Sequence, residues 1–154
     1  MALRARSASV EKRSMSGDRV FVDTNVLVYG YDTSAGAKHQ KARKIVVDLW
    51  GSGLGVVSTQ VLQEFFVTVT RKLPKAMDPG AAKAVVSDLL NWDVVTIDGT
   101  TILSAIDLHE SHGYSFWDSL IVVAAEKGGC AFLFSEDLSS GHTVGGVTIR
   151  NPFV

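Results

Sequence analysis

Arg19-Val20-Phe21-Val22-Asp23-Thr24-Asn25-Val26-Leu27-Val28-Tyr29 sets three polar residues, Asp-Thr-Asn, in the middle of an otherwise continuous apolar run. The β-branched start of the run predicts a buried strand over Val20–Val22. Asp23 then stands directly after the strand. A carboxylate there needs a reason, because an unpartnered charge taken out of water is costly.

Outward from this stretch, short β-branched runs alternate with longer segments of helical period. That alternation predicts an α/β fold, a mainly parallel sheet covered by helices on both faces. Strands are expected at Val20–Val22, Leu54–Val57, Val94–Ile97, Ala131–Phe134 and Gly146–Ile149. Val61, Leu62, Phe65, Phe66 and Val69 recur as one helix face, Ala81–Leu90 forms a second helix after Pro79, and Thr101–His112 and Trp117–Lys127 form two more. Gly51, Gly53, Gly128 and Gly129 punctuate element ends.

The length of 154 residues fits one domain, and a hydrophobic content of 46% is enough for a real core. Fifteen Lys and Arg against sixteen Asp and Glu leave a formal charge of -1, so no overall positive field draws in a polyanion. Any nucleic acid would be held by a local patch. The single cysteine, Cys130, cannot form an internal disulfide, and the apolar run Leu120–Ala125 is far shorter than the roughly 20 residues of a membrane-spanning helix. Both point to a reducing, cytoplasmic setting and no membrane span. Residues 1–17, MALRARSASVEKRSMSG, are rich in Arg and Ser and lack any period. They read as a disordered leader, either vector-derived or the product of a misassigned start with Met15 the candidate true start, and residues 18–154 as the domain.

The acids can now be placed. Asp137 follows the strand ending in Ala-Phe-Leu-Phe by two residues, so Asp23 and Asp137 both sit at carboxyl ends of strands, the edge at which open α/β sheets bind ligands. Asp118, in Ser115-Phe116-Trp117-Asp118, falls in the first turn of a helix. Glu64 lies about 130° from the centre of its helix's apolar stripe, at 100° per residue, and is free to face a cleft. Taken singly, each acid has a structural explanation. Asp-Thr-Asn fits a turn or N-cap, Ser115-x-x-Asp118 a capping box, Ser-Glu-Asp137-Leu an Asx-turn, and Glu64 a solvated helix position. Together, four acids on one rim repel one another unless a cation is held between them. An all-oxygen set suits Mg²⁺ or Mn²⁺. Zinc is disfavoured, since His109-x-x-His112 has no Cys or third His at ligand spacing and fits a helix carboxyl end.

Other motifs carry less. Gly51-Ser-Gly53-Leu-Gly55 precedes a strand, the wrong context for phosphate binding, and there is no Gly-x-Ser-x-Gly elbow. Phe65 and Phe66 share the apolar stripe and read as core, while Trp117 stays open. Lys38, Lys41, Arg43 and Lys44, and Arg71, Lys72 and Lys75, are basic clusters that fit RNA phosphates or solvated helix faces equally well.

Val22-Asp23-Thr24-Asn25-Val26-Leu27, Gln60-Val61-Leu62-Gln63-Glu64-Phe65-Phe66 with Thr70-Arg71-Lys72, Phe116-Trp117-Asp118-Ser119-Leu120-Ile121 and Leu133-Phe134-Ser135-Glu136-Asp137-Leu138, in this order, closely resemble the motifs of PIN-domain ribonucleases, specifically VapC-type toxins. The resemblance runs from Asp18 to Asn151-Pro152-Phe153. It implies a three-layer α/β/α sandwich with about five parallel strands, a Mg²⁺-dependent endoribonuclease (Mn²⁺ substituting), an RNA substrate, a cognate antitoxin and a homodimer. The family's acids carry over as Asp23, Glu64, Asp118 and Asp137, with Asp23 and Asp118 holding the metal most directly and Asn25 and Ser135 supporting the rim. A structured RNA loop is the expected target, since unpaired bases are accessible. Two rivals stand beside this reading. One is a non-catalytic PIN-like module that binds RNA or protein. The other is a Mg²⁺-dependent phosphotransfer domain, of which a haloacid-dehalogenase-type phosphatase would want a second Asp where Asn25 stands.

Overall fold

The computed structural model describes residues 17–154. The leader read over residues 1–17, with the candidate start Met15, therefore lies outside the described residues except for Gly17.

β1 (Val20–Val22) is followed by helix α1 (Thr24–Tyr29), a 3₁₀ turn at Thr33–Ala35 and helix α2 (Ala37–Ser52). β2 (Gly55–Ser58), α3 (Thr59–Arg71), α4 (Pro79–Leu89), β3 (Asp93–Val95), α5 (Gly99–His112), α6 (Phe116–Lys127) and β4 (Phe132–Phe134) come next, then a hairpin of β5 (Thr143–Val144) and β6 (Val147–Arg150). The strands form one sheet in the order β3-β2-β1-β4-β6-β5, parallel except for β5 against β6. The five parallel strands of the expected sandwich are present, with one short antiparallel edge strand added.

β1 and β4 lie side by side within the sheet, and neither has a polar side chain. Val20, Phe21 and Val22 are fully buried, paired with β2 on one side and β4 on the other. A parallel strand covered on both faces reads as an unbroken apolar run, which is how β1 and β4 read. Both faces are packed. α1, α2, α3 and α6 supply Leu27, Val46, Leu49, Val61, Phe65 and Ile121 to the main core, and a smaller cluster of Ala105, Leu120 and Val123 joins α5 to α6. No helix among the described residues is long and apolar enough to cross a membrane.

Several expectations shift by a residue or two, and some fail. β2 and β3 sit at Gly55–Ser58 and Asp93–Val95; β3 is short because the Ile97 N–H is taken by the Thr59 hydroxyl at 3.1 Å, outside any ladder. Gly51 lies inside α2, and Gly53 is the residue that ends it, in the left-handed conformation. Phe66 is not core: at 38% exposure it points away from Phe65, which is fully buried. Successive helical residues turn by 100°, so two neighbours share a stripe only if the stripe is wide. No helix is expected over Thr24–Tyr29, yet α1 forms there with Asp23 as its N-cap, one of the structural explanations open for Asp-Thr-Asn.

The chain leaves β1 toward β2 and β3 on one side and returns to β4 and β6 on the other. The change of direction falls between β1 and β4, the place at which a crevice forms outside the carboxyl ends of the strands in such sheets.

Candidate active site

At that crevice the first strand ends in Asp23. The residue is 7% exposed, and both carboxylate oxygens are engaged: Oδ1 accepts the Thr24 N–H at 2.7 Å and Oδ2 accepts the Ser135 hydroxyl at 2.8 Å. Burial pushes its carboxyl up to about 6, against the downward pull of the Ser135 and Thr24 hydrogen bonds and with the Glu64 and Asp118 charges adding to the rise. Two of the other three acids therefore lie close enough to be felt. The carboxylate that the opening stretch made conspicuous is held in a place that disfavours its charge.

The remaining acids arrive on three separate elements. Glu64 sits in α3, where Thr24 Oγ1 donates to its Oε1 at 2.6 Å and Gln60 Nε2 to its Oε2 at 3.1 Å. Asp118 is the third residue of α6, and its N–H is taken by the N-cap hydroxyl of Ser115 at 3.1 Å, so the Ser half of the expected capping box is present. Asp137 follows β4. The turn there is made by Ser135, whose hydroxyl accepts the N–H groups of Asp137 and Leu138, so the expected Asx-turn of Asp137 is replaced by a serine turn. The Asp137 carboxylate is left exposed, with Oδ2 accepting Asn25 Nδ2 at 2.9 Å, while Asn25 Oδ1 takes the Glu136 N–H.

All four acids line one cleft of about 510 Å³, together with Thr24, Asn25, Asp32 and Lys72. Asp32 is committed elsewhere, as its carboxylate caps the 3₁₀ turn through Ser34. Lys72 is the single cationic side chain among the lining residues. A larger groove of about 640 Å³ lies between α3 and α4, where Leu62, Phe66, Val67 and Val86 are joined by Lys83 as the one charged group. With no acid in its lining, that groove lacks the means for phosphate chemistry.

Among the described residues, no three His, Cys, Asp or Glu side chains close up into a ready-made metal cage. The donor set nevertheless fits a hard divalent cation. Mg²⁺ keeps most of its waters and needs only one or two carboxylates from a protein. Asp23, whose carboxyl is raised mainly by burial and further by the charges of Glu64 and Asp118, has an electrostatic cost that such a cation offsets. His109 and His112 lie in the last turn of α5, away from the acids' cleft, with His109 Nδ1 at 2.5 Å from the Tyr114 carbonyl and His112 stacked on the Tyr114 ring.

The PIN domain family model matches residues 20–139. The chain belongs to the PIN-domain family. That span runs from β1 to the turn after β4 and contains all four acids, so the family resemblance carried by the four motifs is borne out at the level of the PIN domain. The fold of this PIN domain is also similar to Mycobacterium tuberculosis VapC20, a structure described as a Sarcin-Ricin loop cleaving toxin, with a TM-score of 0.59 over 77% of this chain and 89% of that one. At 22% identity the likeness speaks to the fold alone. No curated protein sequence matches the chain.

Sequence reasoning placed Asp23, Glu64, Asp118, Asp137, Asn25 and Ser135 on one rim; of these Ser135 does not line the cleft but is fully buried behind Asp23. It passed over Thr24 and Gln60, which bind both oxygens of Glu64. Gln60 entered only as the first residue of the Gln60–Phe66 motif, although it stands four residues before Glu64 and so on the same face of the helix. Thr24 was quoted only as part of a polar triplet. Lys38 is not a free cation for RNA: it pairs with Glu136 and lies over the Tyr29 ring.

Proposed function

We propose that this PIN domain is a divalent-metal-dependent endoribonuclease and the toxin of a VapC-type toxin–antitoxin pair, acting in the cytoplasm as a homodimer and silenced by a cognate antitoxin. The observation that carries this reading is the meeting of Asp23, Glu64, Asp118 and Asp137, from four elements, in one cleft with a single lysine. A structural role for these acids gives no reason for the convergence.

Asp23 and Asp118 would hold Mg²⁺ or Mn²⁺. When bound, the cation supplies a water of lowered pKa and neutralises charge developing on the phosphate and the leaving oxygen. Each acid has a distinct task set by its surroundings. Asp23 is fixed from behind by Thr24 and Ser135, so it cannot swing away when the cleft fills. Asp118 projects from the first turn of α6, where the helix dipole favours its charge. Glu64, oriented through both oxygens, and Asp137, with Oδ1 uncommitted, are placed to accept protons from an attacking water and fix its direction. Lys72 stands at the same cleft for the RNA backbone. The Sarcin-Ricin loop named for VapC20 is a structured RNA loop, and that class is the substrate we propose here.

The test is incubation of purified protein with total RNA and Mg²⁺, with and without EDTA. Cleavage that EDTA abolishes supports the reading. RNA left intact in Mg²⁺ and in Mn²⁺ overturns it.

A further inference from the structure

Gln60 is buried at 7% exposure, an unusual place for a primary amide. Its Nε2 donates to Glu64 Oε2 at 3.1 Å and also reaches the Trp117 carbonyl at 3.4 Å. Trp117 immediately precedes Asp118. Glu64 Oε1 is held on its other side by Thr24 Oγ1, and the Thr24 N–H is bound to Asp23. One run of hydrogen bonds thus passes from Asp23 through Thr24, Glu64 and Gln60 to the backbone that carries Asp118. It links β1, α3 and α6, the elements that bring three of the four acids. Gln60 Oε1 is buried with no partner of its own, so the amide gives up half of its hydrogen-bonding capacity to keep this orientation. A residue retained only for stability would be better served by an apolar side chain of the same volume.

We propose that Gln60 is a positioning residue: it fixes the Glu64 carboxylate and ties it to the start of the Asp118 helix, so that the two acids keep one spacing. The inference rests on the ribonuclease reading above. Groups that orient a metal site's acids from behind typically cost 10–100-fold in activity when lost.

The test has two independent arms. In the first, Gln60→Met, which keeps volume and removes the donor, is compared with wild type on an oligoribonucleotide that the wild type cleaves in Mg²⁺, alone and in the Glu64→Gln background. We expect kcat to fall by tenfold or more with KM within twofold, and the same substitution to cost less than twofold once Glu64 is already Gln. A wild-type kcat in Gln60→Met, or equal losses in both backgrounds, overturns the proposal. In the second, which needs no activity and no Gln60 variant, the side-chain amide protons of Gln60 are followed by NMR hydrogen exchange in metal-free protein. Protection in wild type that is lost in Glu64→Ala supports the contact, and unprotected protons in wild type overturn it. Wild type that cuts no RNA sinks the ribonuclease reading instead, and the amide arm then decides whether Gln60 holds Glu64.

Discussion

Asp23→Asn in metal-free protein puts a number on the cost of the site. The folded carboxyl is held at about 6 against an ordinary 3.8, burial being the main cause. The difference of roughly two units corresponds to about 3 kcal/mol. An acid whose folded pKa is raised binds more protons folded than unfolded, so stability falls as pH rises from 3.8 to 6 and the full penalty stands above 6. Asn removes that titration. It also places an NH₂ where Oδ2 took the Ser135 hydroxyl, which already accepts two backbone N–H groups and has no further donor to welcome; losing that bond costs about 1 kcal/mol. In EDTA at pH 7.5 the variant should be about 2 kcal/mol more stable than wild type, or roughly 4–8 °C in Tm. Near pH 4 the order should reverse, with wild type ahead by up to about 1 kcal/mol. Urea denaturation of both proteins across pH 4 to 8 in EDTA is the assay. A stability difference that does not change with pH, or wild type more stable at pH 7.5, refutes the reasoning.

Asp118→Asn should lower RNA cleavage by orders of magnitude while changing stability by no more than about 1 kcal/mol, the worth of an acid in a helix's first turn; a clear stability loss with cleavage retained would identify Asp118 as a cap alone. Millimolar Mn²⁺ should raise the wild-type Tm, since a ligand bound only by the native state adds about 2.7 kcal/mol at a hundredfold excess over Kd, and an unmoved Tm in differential scanning fluorimetry would count against metal binding. Light scattering after size exclusion should give a dimer at micromolar concentration, and a monomer throughout would remove the homodimer from the proposal.

How much of this was legible in the sequence depended on whether a feature leaves a local trace. β1 and β4 were readable because a strand buried on both faces is an unbroken apolar run, and the four acids because each interrupts or flanks such a run. The helix over residues 37–52 was legible only as a possible setting for Lys38–Lys44, although Ala42, Ile45, Val46 and Leu49 keep helical spacing; four basic residues within its first eight positions thin the apolar stripe at that end. β5 also had a signal, the Gly145-Gly146 pair of a two-residue hairpin with both residues at positive φ, and only its second strand was drawn. The Thr24–Glu64 and Gln60–Trp117 contacts had none: they are hydrogen bonds between residues 40 and 57 apart in the chain, and no periodicity records a contact of that kind.

For Asp23 the cap and the acidic site are one object. Asp23 is the N-cap of α1, whereas Asp118 sits in the first turn of a helix that Ser115 caps. A helix amino end stabilises a carboxylate for the same reason that it caps well: unsatisfied N–H groups and the positive end of the dipole point at it. That stabilisation is what allows acids to be crowded at a sheet edge before any cation arrives. It is incomplete for Asp23, whose capping bond from Thr24 lowers its pKa without overcoming burial. The site therefore keeps a residual electrostatic cost in the metal-free protein. A cap without such a cost would bind a cation with correspondingly less to gain, so the pH dependence of Asp23→Asn stability and the Mn²⁺ dependence of wild-type Tm should report the same cost, chiefly that of burial, from two sides.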